Sequence, residues 1–423
     1  MWAGPMTLRV AVIGAGIVGT ASALALLRLG YRVTIVEPDE PGGPQAASHG
    51  NGAWISPASV VPIAMPGLWR KVPGYLLDRT GPFTIRPSAL PGALPWLLRF
   101  LRAGSTTARV EATARHLRTL LETAPDLHEA LASEAGVPDL IRRAGLLYCY
   151  PDRAAFDREA AGWSLRRQNG IAWTELDAAA LRAREPDLAP TYGFGAFVAA
   201  GAHCHDTAAY GAALARRAVE SGADIVRGRA TGFGLRDGRL TCVRSEGGDV
   251  ACDRAVVTAG IGSLPLSRAL GDRVSLIAER GYHVVVPDAP IGPRTPLMPS
   301  DGKMANTPTQ AGLRASGQVE LAPPGTPPDW RRTDILLGHL RRAYPGLPAT
   351  GDETFPRWMG NRPSTPDGLP VIGRSRASPD VVYGFGHGHV GFASGPITGL
   401  AVADLIAGRP DRLPLAPFRA SRF

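Results

Sequence analysis

The spacing of apolar positions changes early in the chain. Leu8 to Ile13 is almost continuously apolar, the pattern of a strand buried on both faces in a parallel sheet. After Gly14-Ala15-Gly16-Ile17-Val18-Gly19, the stretch Thr20 to Leu29 reads as a helix and Tyr31 to Val36 as a second strand ending at Glu37. Helical spacing returns at 109–124, 178–185, 207–220 and 398–406, and strand-like runs appear at 145–150, 194–199, 281–286, 318–321 and 381–385. Asp237-Gly238 and Gly247-Gly248 interrupt the segment from about 224 to 257 and predict hairpin turns in a small antiparallel meander.

Composition narrows the class. The 423 residues imply two or three domains, and 44% hydrophobic with 20% charged residues describes a chain able to bury a sizeable core. Disorder, collagen and coiled coil are excluded. The net charge of +9 comes from 46 basic residues of which only Lys71 and Lys303 are lysines, a skew typical of GC-rich coding. We therefore do not take it as a sign of nucleic-acid binding, and no basic stripe interleaved with aromatics is present. Cys149, Cys204, Cys242 and Cys252 show no C-x-x-C spacing, so they predict neither a metal cluster nor a disulfide framework, and a reducing, cytoplasmic compartment. His203-Cys204-His205-Asp206 crowds four ligand types into consecutive positions. Asp206 directly precedes a helix, so we read it as an N-cap and expect no metal.

The first strand, the glycines, the helix, the second strand and Glu37 together form a dinucleotide fingerprint. Gly14 permits the tight turn, Gly16 lets backbone approach a pyrophosphate, and Gly19 lets helix pack on strand; Ile17 and Val18 open the helix whose N–H groups face phosphate. Glu37 can accept the ribose hydroxyls and would repel a 2′-phosphate, which disfavours NADP. The fingerprint alone leaves NAD and FAD open. Three later features favour FAD: the small-residue loop Ala46 to Ala53, including Ser48, His49, Gly50 and Asn51; a strand that runs from Asp253 into Ala259-Gly260; and Gly386-His387-Gly388-His389-Val390-Gly391 before a second helix N-terminus, suited to negative charge on a reduced flavin.

These elements in this order resemble the D-amino-acid oxidase superfamily of FAD-dependent oxidoreductases, and within it the bacterial D-amino acid dehydrogenases. The likeness runs from Leu8 to about Gly408. It rests also on Glu279-Arg280-Gly281-Tyr282-His283, on Gly312-Leu313-Arg314 with Glu320, and on the stretch from Trp358 through Arg362-Pro363-Ser364-Thr365-Pro366-Asp367 to Gly373. The resemblance implies an α/β architecture: a discontinuous, Rossmann-like FAD-binding domain (7–80, 203–262 and 355–415) and an α+β substrate domain (81–202 and 263–354) whose antiparallel sheet roofs the flavin. It implies that Arg362 pairs with a substrate carboxylate, by a bidentate geometry that suits guanidinium. Tyr282 is a candidate second donor, and His283 and His389 are further pocket candidates. The implied reaction removes hydride from Cα of a D-amino acid, and the imino acid hydrolyses to a 2-oxo acid and ammonia. A D-proline or D-hydroxyproline dehydrogenase and a sarcosine- or glycine-oxidase-like enzyme remain alternatives. With lysine at only two positions, of which Lys303 keeps an oxygen-using enzyme in view, we expect transfer to a quinone or another carrier. Trp96 to Arg102 is a short apolar helix flanked by arginines that either packs onto the body of the protein or lies on a membrane surface, the second giving peripheral contact with the inner face of the cytoplasmic membrane. Glu279-Arg280 and His283 depart from the better-known dehydrogenases beside the expected pocket, which puts a broad substrate range in doubt.

Overall fold

A computed structural model of the chain describes residues 8–70, 81–347 and 355–423. Lys71 lies outside the described residues. The strand Arg9–Ile13 stands at the centre of a six-stranded sheet in the order Asp224–Arg227, Arg32–Glu37, Arg9–Ile13, Arg254–Val257, Val381–Phe385, Val371–Arg374. The first five strands are parallel and the last is antiparallel. The near-continuous apolar run of Arg9–Ile13 follows from cover on both faces. Val10 and Val12 enter a core with the helices Ile17–Arg28 and Gly391–Ala407, whereas Ala11 and Ile13 enter another with Leu240 and Val243 of the meander. That meander, Ala230–Arg236, Arg239–Ser245 and Val250–Ala251, turns at Asp237-Gly238 with φ of 51° and 74°, the primed geometry a right-twisted hairpin needs.

The second large sheet has Ile277–Val286 and Gly312–Leu321 as its longest strands, paired antiparallel, with Arg357–Ser364 along the other side of Ile277–Val286. Both long strands begin before the positions the apolar pattern marks, 281 and 318. The additional residues include Glu279, Arg280 and Arg314, which are buried and so break the apolar rhythm. Arg357–Ser364 has no strand signature at all and is ordered by its partner. It corrects the domain boundary at 355, since its hydrogen bonds place it in the antiparallel sheet. The boundary at 81 does not follow packing either: helices Thr107–Leu121 and Ala124–Glu134 send Leu117, Leu120, Leu121 and Leu131 into the core that holds Ile17–Arg28.

The C-terminal helix starts at Gly391, about two turns before the predicted 398, and contains Pro396. Proline removes the N–H that would bond Phe392 O. His128 replaces it, donating from Nε2 to Phe392 O at 3.0 Å while Nδ1 meets the Tyr210 hydroxyl at 3.1 Å. The apolar stretch Gly388–Ala407 is long enough to cross a membrane, yet 72% of its most apolar window is buried in this fold. Its packing against Ile17–Arg28 and Ala124–Glu134 accounts for that composition.

Candidate active site

A cavity of about 380 Å³ extends from the carboxyl ends of the parallel strands to the face of the antiparallel sheet. Strand ends in a doubly wound sheet open such a crevice because the chain leaves them in diverging turns. Gly14 takes φ of 100°, and a Cβ there would stand 2.7 Å from Thr258 O. At Gly19 a Cβ would fall 1.9 Å from Gly14 O, so this glycine sets the approach of helix to turn and stays out of the cavity. Gly14, Gly16, Ile17, Val18, Glu37, Ser48, Gly50 and Asn51 line one part, and Ala259, Gly260, Gly386, His387, Gly388 and Gly391 another. Val390 does not reach the lining.

These residues fit a dinucleotide. A Cβ on Gly16 would meet only Ser48 Oγ, at 3.8 Å, so the backbone there can be approached closely. The helix Ile17–Arg28 starts at Gly16 with no side-chain cap and no acid in its first turn, leaving N–H groups for an anion. Glu37 is buried at the adenosine end of the fingerprint, with Oε2 accepting from Ala15 N at 2.7 Å and Oε1 from Asp39 N at 3.3 Å. The helix Gly391–Ala407 also begins without a side-chain cap. His387 lies against it, its Nε2 3.0 Å from Thr398 Oγ1; burial lowers its pKa to about 3, so the imidazole is neutral.

The loop through Ser48 is fixed from behind. Three successive carbonyls, of His49, Gly50 and Asn51, accept hydrogen bonds from Thr207 Oγ1, His283 Nδ1 and Arg314 Nη1. Because a carbonyl only accepts, His283 carries its proton on Nδ1; burial and the Arg314 charge lower its pKa to about 3. His283 is therefore a clamp on the loop, which corrects its candidacy as a pocket group. His49 turns its Nδ1 to Gly42 O at 2.9 Å and likewise leaves the lining. Trp358, for which sequence reasoning gave no separate role, is held between Gly50 and Gly360, where Cβ atoms would stand 2.2 Å and 2.0 Å from its ring. Its indole stacks on His283 at 5.4 Å and donates to Pro44 O at 2.8 Å. This explains a glycine at 50 that the sequence presents only as part of a small-residue loop. Thr258, whose Oγ1 donates to Ile13 O at 2.8 Å, is also in the wall and carries no sequence signal of its own.

At the sheet end of the cavity, Glu279 pairs with Arg362, Gly281 with Gly360, and His283 with Trp358, so these residues share one face. The Arg362 guanidinium lies directly over Gly281, where a Cβ would stand 2.2 Å from Nη2. Its Nη1 donates to Gln318 O at 3.0 Å. Gln318, with φ of 60°, sits at an irregularity where Arg280 pairs with Glu320 but Tyr282 with Gly317. The bulge thus aims a carbonyl at Arg362. Among the described residues no carboxylate lies within 4.0 Å of Arg362, so the rest of its fork faces the cavity unengaged. Burial pulls its pKa down and Glu279 opposes that; an arginine stays cationic under both.

Tyr282, one residue along the strand, is also in the cavity lining, but its hydroxyl is engaged on the other side of the sheet. Alternation turns its ring into the core with Met304 and Leu336, and its hydroxyl donates to Glu320 Oε2 at 2.5 Å while accepting from Asp329 N at 3.1 Å. It is not available as a second donor to a carboxylate bound by Arg362. His389 is also displaced, its Nε2 bonding Glu279 Oε2 at 2.9 Å outside the cavity lining. Glu279 also accepts from Ser364 Oγ at 2.7 Å. Burial raises its pKa, but the bonds from His389 and Ser364 and the Arg362 charge outweigh that and hold it below the usual glutamate range. Lys303 is remote from this chemistry, its ammonium paired with Glu159 at the surface. Asp206 caps the helix Thr207–Glu220, with Oδ1 accepting from Ala208 N and Ala209 N, both at 2.9 Å.

Known proteins share this architecture. A family described as FAD dependent oxidoreductase matches residues 9–405. A D-amino-acid oxidase from Bradyrhizobium diazoefficiens is 52% identical over 415 residues, covering 98% of both chains. D-amino acid dehydrogenase 2 from Ralstonia nicotianae is 32% identical, covering 98% of this chain and all of that one (100%). Among solved structures, glycine oxidase from Geobacillus kaustophilus superposes with a TM-score of 0.73 at 22% identity, covering 99% of this chain and 100% of its own, which establishes the shared fold. With the fingerprint, the uncapped helix ends and these matches in agreement, the chain belongs to the DAO family of FAD-dependent oxidoreductases.

Proposed function

We propose that this enzyme oxidises D-amino acids, with the substrate carboxylate held by Arg362. The observation that carries the reading is the guanidinium laid over Gly281, steadied by Gln318 O and open toward the cavity. Two parallel N–H···O bonds from such a fork fix a carboxylate in one orientation and so aim Cα. When bound, FAD supplies a two-electron acceptor that takes hydrogen from Cα as hydride. A neutral amine losing that hydride becomes an iminium, which water hydrolyses to 2-oxo acid and ammonium. Starting from the neutral amine, no side chain has to remove a proton from Cα. The D configuration is supported by the names of the relatives at 52% and 32% identity. The FAD-binding part in this reading comprises the parallel sheet with its helices, and the antiparallel sheet forms the substrate-binding part.

The acceptor has two readings. Commitment of Lys303 to Glu159 removes that lysine from oxygen chemistry at the cavity and supports a quinone or another carrier. The relative named an oxidase supports dioxygen instead. Anaerobic mixing of the holoenzyme with D- and L-amino acids, glycine, sarcosine, D-proline and hydroxyprolines, followed by flavin absorbance, tests the whole proposal. Bleaching by D-amino acids is expected, then fast recovery with a quinone and slow recovery in air. Bleaching by glycine or sarcosine alone, or by no compound, overturns the D-amino acid reading; fast recovery in air with peroxide formed overturns the carrier.

A further inference from the structure

The carbonyl that steadies Arg362 belongs to a residue out of step with its sheet. Because Arg280 pairs with Glu320 and Tyr282 with Gly317, the two residues Gln318 and Val319 oppose the single residue Gly281, over which the Arg362 guanidinium lies. Gln318 takes φ of 60°, a left-handed conformation that a glutamine adopts only when its surroundings hold it there. The seat of Arg362 therefore depends on whatever holds Gln318.

Two side chains grip this bulge from behind the sheet. Tyr282 pairs with Gly317 through its backbone and donates its hydroxyl to Glu320, so one residue holds both ends of the irregular step. The second is Arg332, on the helix Arg331–Ala343, whose Nη1 donates to Gln318 Oε1 at 3.3 Å. The helix is itself seated on the bulge: Asp329 N donates to the Tyr282 hydroxyl at 3.1 Å, and a Cβ on Gly317 would stand 3.2 Å from Leu336 Cδ2. Arg332 is only 8% exposed, and Asp329, already bonded to Arg331 at 2.8 Å, stands 3.9 Å from its Nε. Among the described residues that Nε has no hydrogen-bond partner. A guanidinium buried with so distant a counter-charge costs stability that an apolar side chain of the same length would not. The contact with Gln318 gives the charge a purpose. Neither Arg332 nor the Gln318 side chain lines the cavity, so any effect they have on substrate passes through Arg362.

We propose that Arg332 is a positioning residue for substrate binding: it holds the Gln318 side chain, the bulge keeps its shape, and the Gln318 carbonyl keeps the Arg362 fork aimed into the cavity. The proposal rests on the reading that Arg362 binds the substrate carboxylate. Without Arg332 the Gln318 peptide is free to rotate, Nη1 of Arg362 loses its acceptor, and the fork tilts away from the carboxylate. The test is steady-state kinetics of the holoenzyme with a D-amino acid that bleaches the flavin, together with competitive inhibition by propionate, a carboxylate without an amine. Parent, Arg332→Met, Arg332→Lys, Gln318→Gly and the Gln318→Gly/Arg332→Met double variant are compared, with Arg362→Met as reference and flavin content read on every sample. In Arg332→Met, KM and the propionate inhibition constant should rise together by about three- to tenfold while kcat changes by less than about twofold and flavin content is unchanged. Arg332→Lys, which can still donate to Gln318, should recover part of the rise. In the Gln318→Gly background, where the contact is already cut, Arg332→Met should shift KM by less than about twofold. Parent-like KM in Arg332→Met, an equal rise with and without the Gln318 side chain, or loss of flavin with KM of the FAD-saturated enzyme unchanged would each overturn the proposal. If Arg362→Met itself leaves propionate inhibition unchanged, the carboxylate reading fails, and that result is distinct from a failure at Arg332 alone.

Discussion

Arg362 and Gly281 act as one unit, since the guanidinium occupies the volume a side chain at 281 would need. Replacing Arg362 by Met removes both carboxylate bonds, and kcat/KM should fall by about two to three orders of magnitude with bound FAD unchanged. Arg362→Lys keeps the charge but not the fork, and should recover only a minor part of that loss. Gly281→Ala displaces the guanidinium without deleting it, so KM should rise more than kcat falls; a protein with unchanged KM would show that Arg362 does not bind substrate from its present seat. His283 predicts a different pattern. His283→Ala frees the Gly50 carbonyl and undercuts Trp358, so FAD should dissociate more readily, while kcat of the FAD-saturated enzyme stays near its parent value. Fluorescence titration with FAD separates this from a direct role in chemistry. Gly14 and Glu37 can be picked out from the sequence because each acts through its immediate neighbours in the chain, whereas Arg362 is marked there only by the family resemblance and finds Gly281 and Gln318 through sheet pairing. Tyr282, His283 and Trp358 cannot be sorted there, because the face a strand residue occupies depends on which strands flank it.

Elements differ in how openly the chain declares them. Arg9–Ile13 and Ile17–Arg28 are fixed by short-range pattern and turn chemistry. Arg357–Ser364 is a strand only because Ile277–Val286 offers it a ladder. The helix Gly391–Ala407 is intermediate: its apolar length is visible, but Pro396 hides its start, and the carbonyl that proline leaves free is satisfied by a histidine from another helix. His128→Leu should leave Phe392 O buried without a donor, at a cost of about 1–3 kcal/mol, read as a lowered midpoint of urea unfolding for the holoenzyme. His128→Asn, which can donate through its amide, should recover part of the loss. If the two variants unfold alike, the bond to Phe392 is not what His128 contributes.

Across the whole molecule, the buried neutral histidines set an acid limit. Burial lowers the pKa of His128 and His203 to about 4, and of His283 and His387 to about 3, from an ordinary 6.5. Below about 6.5 the unfolded chain binds protons that the folded chain refuses. Stability is therefore full above that value and declines as pH falls toward 4, by about 1.4 kcal/mol per pH unit for each such group. Unfolding midpoints measured from pH 7 to pH 4.5 should fall steadily, and FAD should be released over the same range, since His283 and His387 adjoin its cavity; a flat profile would mean these histidines titrate normally. What the sequence determined by itself is the nucleotide half: strand, glycines, helix and acid lie within one short segment, so local sterics and periodicity specify them. Only the tertiary structure decided the other half. Residues distant in sequence, among them Glu279, Gln318, Arg362 and His389, become neighbours through sheet pairing, and burial, alternation and a bulge then assign each its hydrogen bonds. A linear pattern carries no record of those pairings, because side-chain direction on a strand has meaning only relative to the strands beside it.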